Sequence, residues 1–205
     1  MKPFSEACEQ NKRPILAVLQ QYFTDVSNVL EIGSGTGQHA VFFAAELPHL
    51  HWLTSEVAEH HPGISAWLEE AGLKNLAGPL ELDVNRPDWR VNKVEAVFSA
   101  NTVHIMGWSS VENMFAGIGR ILHSGGVFCL YGPFNYEGNY TSDSNARFDL
   151  WLKQRDPASG IRDFEALNIL AQQHGMTLLA DHPMPVNNRI LVWQKLATGD
   201  EQRTN

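Results

Sequence analysis

Short apolar runs of four to seven residues alternate along the chain with longer segments whose apolar positions recur every three or four residues. The short runs predict strands near 28–33, 51–56, 78–83, 94–100 and 126–131, with a closing pair near 176–182 and 189–195. The longer segments predict helices through 37–46, 63–71, 110–122, 144–154 and 163–174, the last stopped at His174-Gly175. A further helix is expected to begin at Pro14, a residue suited to a first helical turn, with Ile15, Leu16, Leu19 and Phe23 on one face. Such alternation implies a parallel sheet covered on both faces. Only Pro183-Met184-Pro185-Val186-Asn187-Asn188 separates the last two strands, which leaves no room for a crossover helix and predicts an antiparallel hairpin.

Composition narrows the picture. With 205 residues, 43% hydrophobic and 19% charged, the chain can fill one α/β core, so residues 1–196 are expected to form one domain and 197–205 a flexible tail. No stretch is apolar enough for a signal peptide or a membrane span, and a cytoplasmic protein is expected. Cys8 and Cys129 fit neither a disulfide framework nor a zinc spacing; Cys129, within an apolar run, reads as a buried inert thiol. The histidines at 49, 51, 60 and 61 lack the cysteine or paired carboxylate that would complete a metal set, so no metal is expected. The six tryptophans read mostly as packing residues. A net charge of -8, with no Lys/Arg block, argues against nucleic acid as partner and favours a small-molecule or peptide substrate.

The chemistry concentrates in Glu31-Ile32-Gly33-Ser34-Gly35-Thr36-Gly37-Gln38, where a strand breaks into a glycine-rich turn and resumes as a helix. Glycines let backbone approach a ligand closely, and a helix start offers free amides, so the turn is suited to hold a nucleoside. A dinucleotide fingerprint would place its last glycine at Gln38; here the third glycine falls one residue early, at Gly37. Glu56 ends the next strand, where a carboxylate can accept both ribose hydroxyl protons; the alternative is a solvated charge. Thr36 and Gln38 could add polar contacts. The fourth strand runs into Asn101 and His104, which should face the reacting atoms: Asn101 as an amide holding cofactor or acceptor, and His104 as an orienting donor, a packed residue or a base, the last because imidazole titrates near neutrality. Tyr131, after the fifth strand, is the reserve base.

The E-x-G-x-G-x-G spacing resembles motif I of class I S-adenosylmethionine-dependent methyltransferases. That resemblance implies an α/β fold, a Rossmann-like seven-stranded sheet, mostly parallel with a C-terminal antiparallel hairpin and helices on both faces. It implies S-adenosyl-L-methionine as cofactor, Glu31 organising its methionine end and Asp83 receiving the adenine amino group. A turn-forming aspartate is the plainer reading of Asp83.

A narrower set of segments is similar to the methyltransferase-like 26 family and spans residues from about 10 to 195: Gln10-Asn11-Lys12-Arg13-Pro14, Gly35-Thr36-Gly37-Gln38-His39-Ala40, Leu82-Asp83-Val84, Asn101 with His104, Tyr131-Gly132-Pro133-Phe134, Phe148-Asp149, Gly160-Ile161-Arg162-Asp163 and Met184-Pro185-Val186-Asn187-Asn188. Asn11 and Val84 join the cofactor set through this resemblance. The family usually carries Arg where this chain has Gln10, so a neutral hydrogen bond stands where relatives have a charge. For the acceptor, Asn135 and Tyr136 could wall a pocket or fill a satellite core. Arg162 could anchor an anion or pair with Asp149. Asn188 could make the hairpin turn or reach the pocket. Two other readings stay open, a non-catalytic nucleoside-binding or protein-interaction module on the same fold and an NAD(P)-dependent oxidoreductase.

Overall fold

The central strands follow from the continuous apolar runs. In a computed structural model that describes residues 2–197, β1 (Asn28–Ile32), β2 (His51–Glu56), β3 (Leu76–Glu81), β4 (Val94–Ala100), β5 (Leu122–Gly132), β8 (Met176–Met184) and β9 (Asn188–Lys195) form one seven-stranded sheet ordered β3-β2-β1-β4-β5-β9-β8. Two-residue strands β6 (Phe134–Asn135) and β7 (Arg162–Asp163) pair separately. The first five sheet strands are parallel; β9 inserts antiparallel between β5 and β8. The expected hairpin and α/β class are therefore what the chain adopts, with β9 the one reversed strand.

Helices α1 (Glu6–Tyr22), α2 (Gln38–Glu46), α3 (His61–Ala71), α4 (Trp108–Ile121), α5 (Asp143–Arg155) and α6 (Phe164–Gln173) surround the sheet. On α4, the buried Val111, Met114, Phe115, Ile118 and Ile121 recur at helical spacing and seal one face of the sheet together with α6. Phe115, Phe128 and Trp193 meet there at ring separations of 5.5–5.7 Å. The opposite face is closed by α1 and α2, around Phe43, Trp52 and Phe98. Each fully buried ring contributes about 1.5–3 kcal/mol through its area alone.

Strand β5 begins at Leu122, four residues before its expected start, and two further departures bear on the site. Helix α1 starts eight residues before Pro14, which lies inside it. A proline there removes one backbone hydrogen bond and costs about 3 kcal/mol in a helix interior. The start at Ser5 is nonetheless favoured. The Ser5 hydroxyl accepts from the Cys8 N–H, Glu6 and Glu9 sit in the positive first turn, and the side chain of Gln38 grips the Ser5 backbone from α2. Strand β3 ends at Glu81, because its ladder with β2 runs out where β2 does, at Glu56. Asp83 thus stands two residues past the last ladder position. The expected tail from 197 falls, apart from Thr198's predecessor Ala197, outside the described residues.

Gly117 on α4 lies flat against Trp89: a Cβ there would come 2.0 Å from the indole ring. Both are buried within the α4 layer, so Gly117→Ala is expected to cost about 1–3 kcal/mol by overpacking, despite alanine's better helix propensity. Thermal unfolding of the purified variant measures it; an unchanged midpoint would show that Trp89 moves freely.

Candidate active site

Beyond β1 the chain needs a conformation that side chains resist. Gly33, Gly35 and Gly37 all have positive φ, at 75°, 56° and 88°. At Gly33 a Cβ would lie 2.4 Å from Thr102 Cγ2, so glycine there allows the turn to approach the segment after β4. At Gly35 a Cβ would meet nothing within 4 Å, which leaves bare backbone facing open space. Gly37 is the N-cap of α2. The Glu56 carboxylate braces this turn: Oε2 accepts from the Gly35 N–H at 3.1 Å and Oε1 from the Val57 N–H at 2.9 Å. Each oxygen keeps a second lone pair for a ligand hydroxyl.

Around the turn opens a cleft of about 850 Å³, at the carboxyl ends of β1, β2 and β4 where strand order reverses. Gly33, Gly35, Thr36, Glu56, Asn101 and His104 line it together. A second cavity of about 300 Å³ is lined by Asn11, Asn101, Tyr131 and Asn188 among others. The two share Ala7, Asn101 and Phe148, and Asn101 occupies the junction with φ of 59°.

Electrostatics sharpen three of the roles. Glu31 is 2% exposed and accepts from Ser34 Oγ at 2.8 Å and Trp52 Nε1 at 3.3 Å, both at Oε2. Burial outweighs those bonds and pushes its carboxyl up to about 7, with the nearby Glu56 adding to the rise. It sits behind Ser34 and does not line the cleft surface. His104 is 4% exposed; burial first, and the charge of Arg162 second, hold its imidazole down at about 4. Its Nδ1 is buried without a hydrogen-bond partner among the described residues. The neutral ring therefore offers a lone pair and is a weak base, contrary to the near-neutral titration expected of it. Burial raises the Tyr131 hydroxyl, with the amides of Asn11 and Asn188 beside it acting in the opposite direction, so the phenol stays a proton donor.

Other sequence-chosen residues go elsewhere. Gln38, 3% exposed, spends its amide on Ser5, Glu9 and Thr36 and holds the N-terminal segment in place. Asp83 Oδ1 accepts from the Asn85 N–H at 2.9 Å, an Asx turn, and lines a neighbouring cavity of about 340 Å³ with Val57 and Glu59. Glu59 also lines the large cleft, so the two spaces adjoin. Val84 packs on the core. Asn135 is buried with Oδ1 unpartnered among the described residues, and Tyr136 donates to Asp181 while stacking on Phe164. Neither lines the two cavities.

Arg162 does not pair with Asp149, which instead binds Tyr140, Lys153 and the Ile161 N–H. Its guanidinium donates to the carbonyls of Val103, Met106 and Ala158, clamping the segment that carries His104. Arg162→Gln is expected to destabilise the protein by about 1–3 kcal/mol, since it removes the donors to the part-buried carbonyls of Val103 and Met106. Hydrogen exchange should speed up selectively over residues 103–108; a uniform effect would deny the clamp.

The N-terminal segment was not foreseen as part of the site. Pro3, Ser5, Ala7 and Cys8 line the cleft. Trp67 Nε1 donates to the Pro3 carbonyl at 2.7 Å, and Lys2 pairs with Glu70 at 2.6 Å while lying over the Trp67 ring. His39, which also lines the cleft, is neutral, its imidazole lowered to about 4 by burial; Nε2 donates to Asn11 Oδ1 at 2.6 Å and Nδ1 faces Cys8 Sγ at 3.9 Å. Trp151, expected in packing, is 47% exposed and stacks on Phe148 at the cleft wall. The capping serine and first-turn glutamates were the available signal for a helix reaching this far; nothing local placed it over the glycine turn.

The architecture is the one carried by S-adenosylmethionine-dependent methyltransferases. An O-methyltransferase family protein from Burkholderia thailandensis superposes with a TM-score of 0.79 at 12% identity, over 91% of this chain and 56% of that one. Human N-acetylserotonin methyltransferase in complex with S-adenosylmethionine gives 0.77 at 13%, over 94% and 53%. PigF with S-adenosylhomocysteine gives 0.76 at 17%, over 89% and 61%. The chain thus spans little more than half the length of these proteins. In sequence, residues 2–195 match the family described as "Protein of unknown function (DUF938)", and the chain belongs to that family. Among the described residues no helix is long and apolar enough to cross a membrane.

Proposed function

We propose that this chain is an S-adenosyl-L-methionine-dependent methyltransferase acting on a small-molecule or protein-side-chain acceptor. The observation that carries it is the glycine turn itself: bare backbone at Gly35, braced by Glu56 and opening on a cleft of nucleoside size that meets a second cavity at Asn101. The segments quoted above support a place nearest the methyltransferase-like 26 family, with residues 1–196 as one domain in the cytoplasm.

The residues present fit the cofactor. Glu56 has two lone pairs free for vicinal hydroxyls, Gly35 offers unobstructed main chain and Thr36 lines the same cleft, while Asn11 stands in the smaller cavity. Asp83 borders the adjoining space past Glu59 and would serve the base end, with Val84, its neighbour in sequence, packed on the core behind it. When bound, the cofactor supplies an electrophilic methyl group. The chain contributes alignment and exclusion of water at the Asn101 junction, with Phe148 and Trp151 as apolar walls. The His104 ring lines the cleft and, as a neutral imidazole, can hydrogen-bond to the acceptor and so orient it; held near 4, it takes a full proton only from an acidic group.

Calorimetry with S-adenosylhomocysteine, with NAD as the comparison ligand, tests the reading. Binding of the thioether and none of NAD is expected. Silence toward both S-adenosylmethionine and its thioether at millimolar concentration would remove the proposal. Incorporation of labelled methyl into a fractionated extract then separates transfer from mere binding.

A further inference from the structure

The smaller cavity has an unusual lining. Among the described residues its walls carry no charged side chain; they combine four asparagines and a glutamine with the Tyr131 phenol and an apolar side formed by Pro133, Phe148 and Val186. Burying a charge without a partner costs several kcal/mol, so neither a carboxylate nor an ammonium group would find compensation here. Arg162, for which an anion anchor is one of two readings from the sequence, donates to three carbonyls outside this lining. The Lys153 ammonium is likewise held by Asp149.

Two of the amides are locked in opposite senses. Asn145, 6% exposed, gives both amino hydrogens away, to Thr141 Oγ1 at 2.9 Å and to the Asn187 carbonyl at 3.1 Å. What it has left for a ligand is its carbonyl oxygen, an acceptor. Asn11 has its carbonyl held by His39 Nε2, and its amino group is left on the side of the Tyr131 hydroxyl. What Asn11 and Tyr131 offer is donors. A ligand must therefore bring both a donor and an acceptor on an uncharged group.

We propose that this cavity takes a small uncharged molecule in which a planar apolar body bears the donor-and-acceptor edge of a carboxamide, and that it rejects carboxylates and ammonium groups of the same shape. The carboxamide N–H would meet the Asn145 oxygen, its C=O would meet Asn11 and Tyr131, and its apolar body would lie against Phe148 and Pro133. A volume of about 300 Å³ amounts to roughly ten water molecules and limits the occupant to a small molecule. The proposal rests on the methyltransferase reading for its claim that the occupant is the acceptor; the recognition chemistry itself depends only on the cavity.

Three probes of one shape separate the cases: benzamide, benzoate and benzylamine, the last two ionised at about pH 7.5. Saturation-transfer NMR and competition on the full chain, with and without S-adenosylhomocysteine, should show benzamide binding at least about tenfold more tightly than either charged probe, the cost of one unpaired polar group. Val186→Trp, at an exposed rim position, should abolish the benzamide signal, with thioether binding by the same variant as the check that it is folded. Equal or tighter binding of benzoate or benzylamine, no binding of any probe, or a benzamide signal that survives Val186→Trp would each overturn the proposal. Selective benzamide binding without any thioether binding would instead remove the methyltransferase reading and leave the recognition chemistry standing.

Discussion

Replacing Glu31 by Gln should stabilise the ligand-free protein at pH 8 by about 3 kcal/mol, which for a domain of this size corresponds to a rise of about 6–12 °C in unfolding midpoint. Glu31 is buried in β1 and its carboxyl is pushed from 4.5 to about 7. A raised acid pKa means that the native state holds a proton the unfolded chain has already released. The contribution of Glu31 is fully present below the unfolded value near 4.5 and is lost progressively as pH rises through about 7. Gln copies the protonated form: one oxygen accepts from Ser34 and Trp52, and the amino group stands where the acid carries its O–H. The variant's stability should accordingly lack the wild-type decline between those two pH values. Denaturant melts across that range decide it, and parallel curves for the two proteins would show that Glu31 already ionises freely in the fold. If a cationic methionine end lies near Glu31, cofactor binding at about pH 6 should also release close to one proton, seen as a buffer-dependent binding enthalpy that Glu31→Gln abolishes.

Glu56→Ala should weaken S-adenosylhomocysteine at least about 100-fold, because two hydrogen bonds to a charged acceptor are each worth about 1.5–3 kcal/mol. Glu56→Gln should be nearly as damaging. Both carboxylate oxygens face backbone N–H groups, of Gly35 and Val57, so an amide must turn its amino group against one of them. The glycine turn would then lose its brace as well as its diol partner. Glu56 is only half-buried at a strand end, so the unfolding midpoint should move little. An affinity within about threefold of wild type would mean that the ribose site lies elsewhere.

Legibility followed locality. Strand β4 is a continuous buried run, α4 a helical stripe from Val111 to Ile121, and the last hairpin a matter of too few residues for a crossover; each is written within a dozen neighbours. The glycine turn was readable for the same reason, since its positive φ values depend on missing side chains. Pro14 misled because a local penalty was outweighed by contacts from α2, and Asp83 shifted because β3 can pair only as far as β2 extends. Gln38 and Arg162 had the right chemistry for a ligand but found protein partners 33 and 59 residues away.

By itself, then, the sequence determined the alternation of layers, the reversed strand, and a turn where main chain and one acidic residue could meet a nucleoside. Tertiary structure alone decided which polar groups remain available there: it consumed Arg162 and Gln38, orphaned Nδ1 of His104, buried Glu31, and laid the first residues of the chain along the cleft. The reason is that propensity and periodicity act over a few bonds, whereas the availability of a donor or the charge of a buried acid depends on every group that folding brings around it.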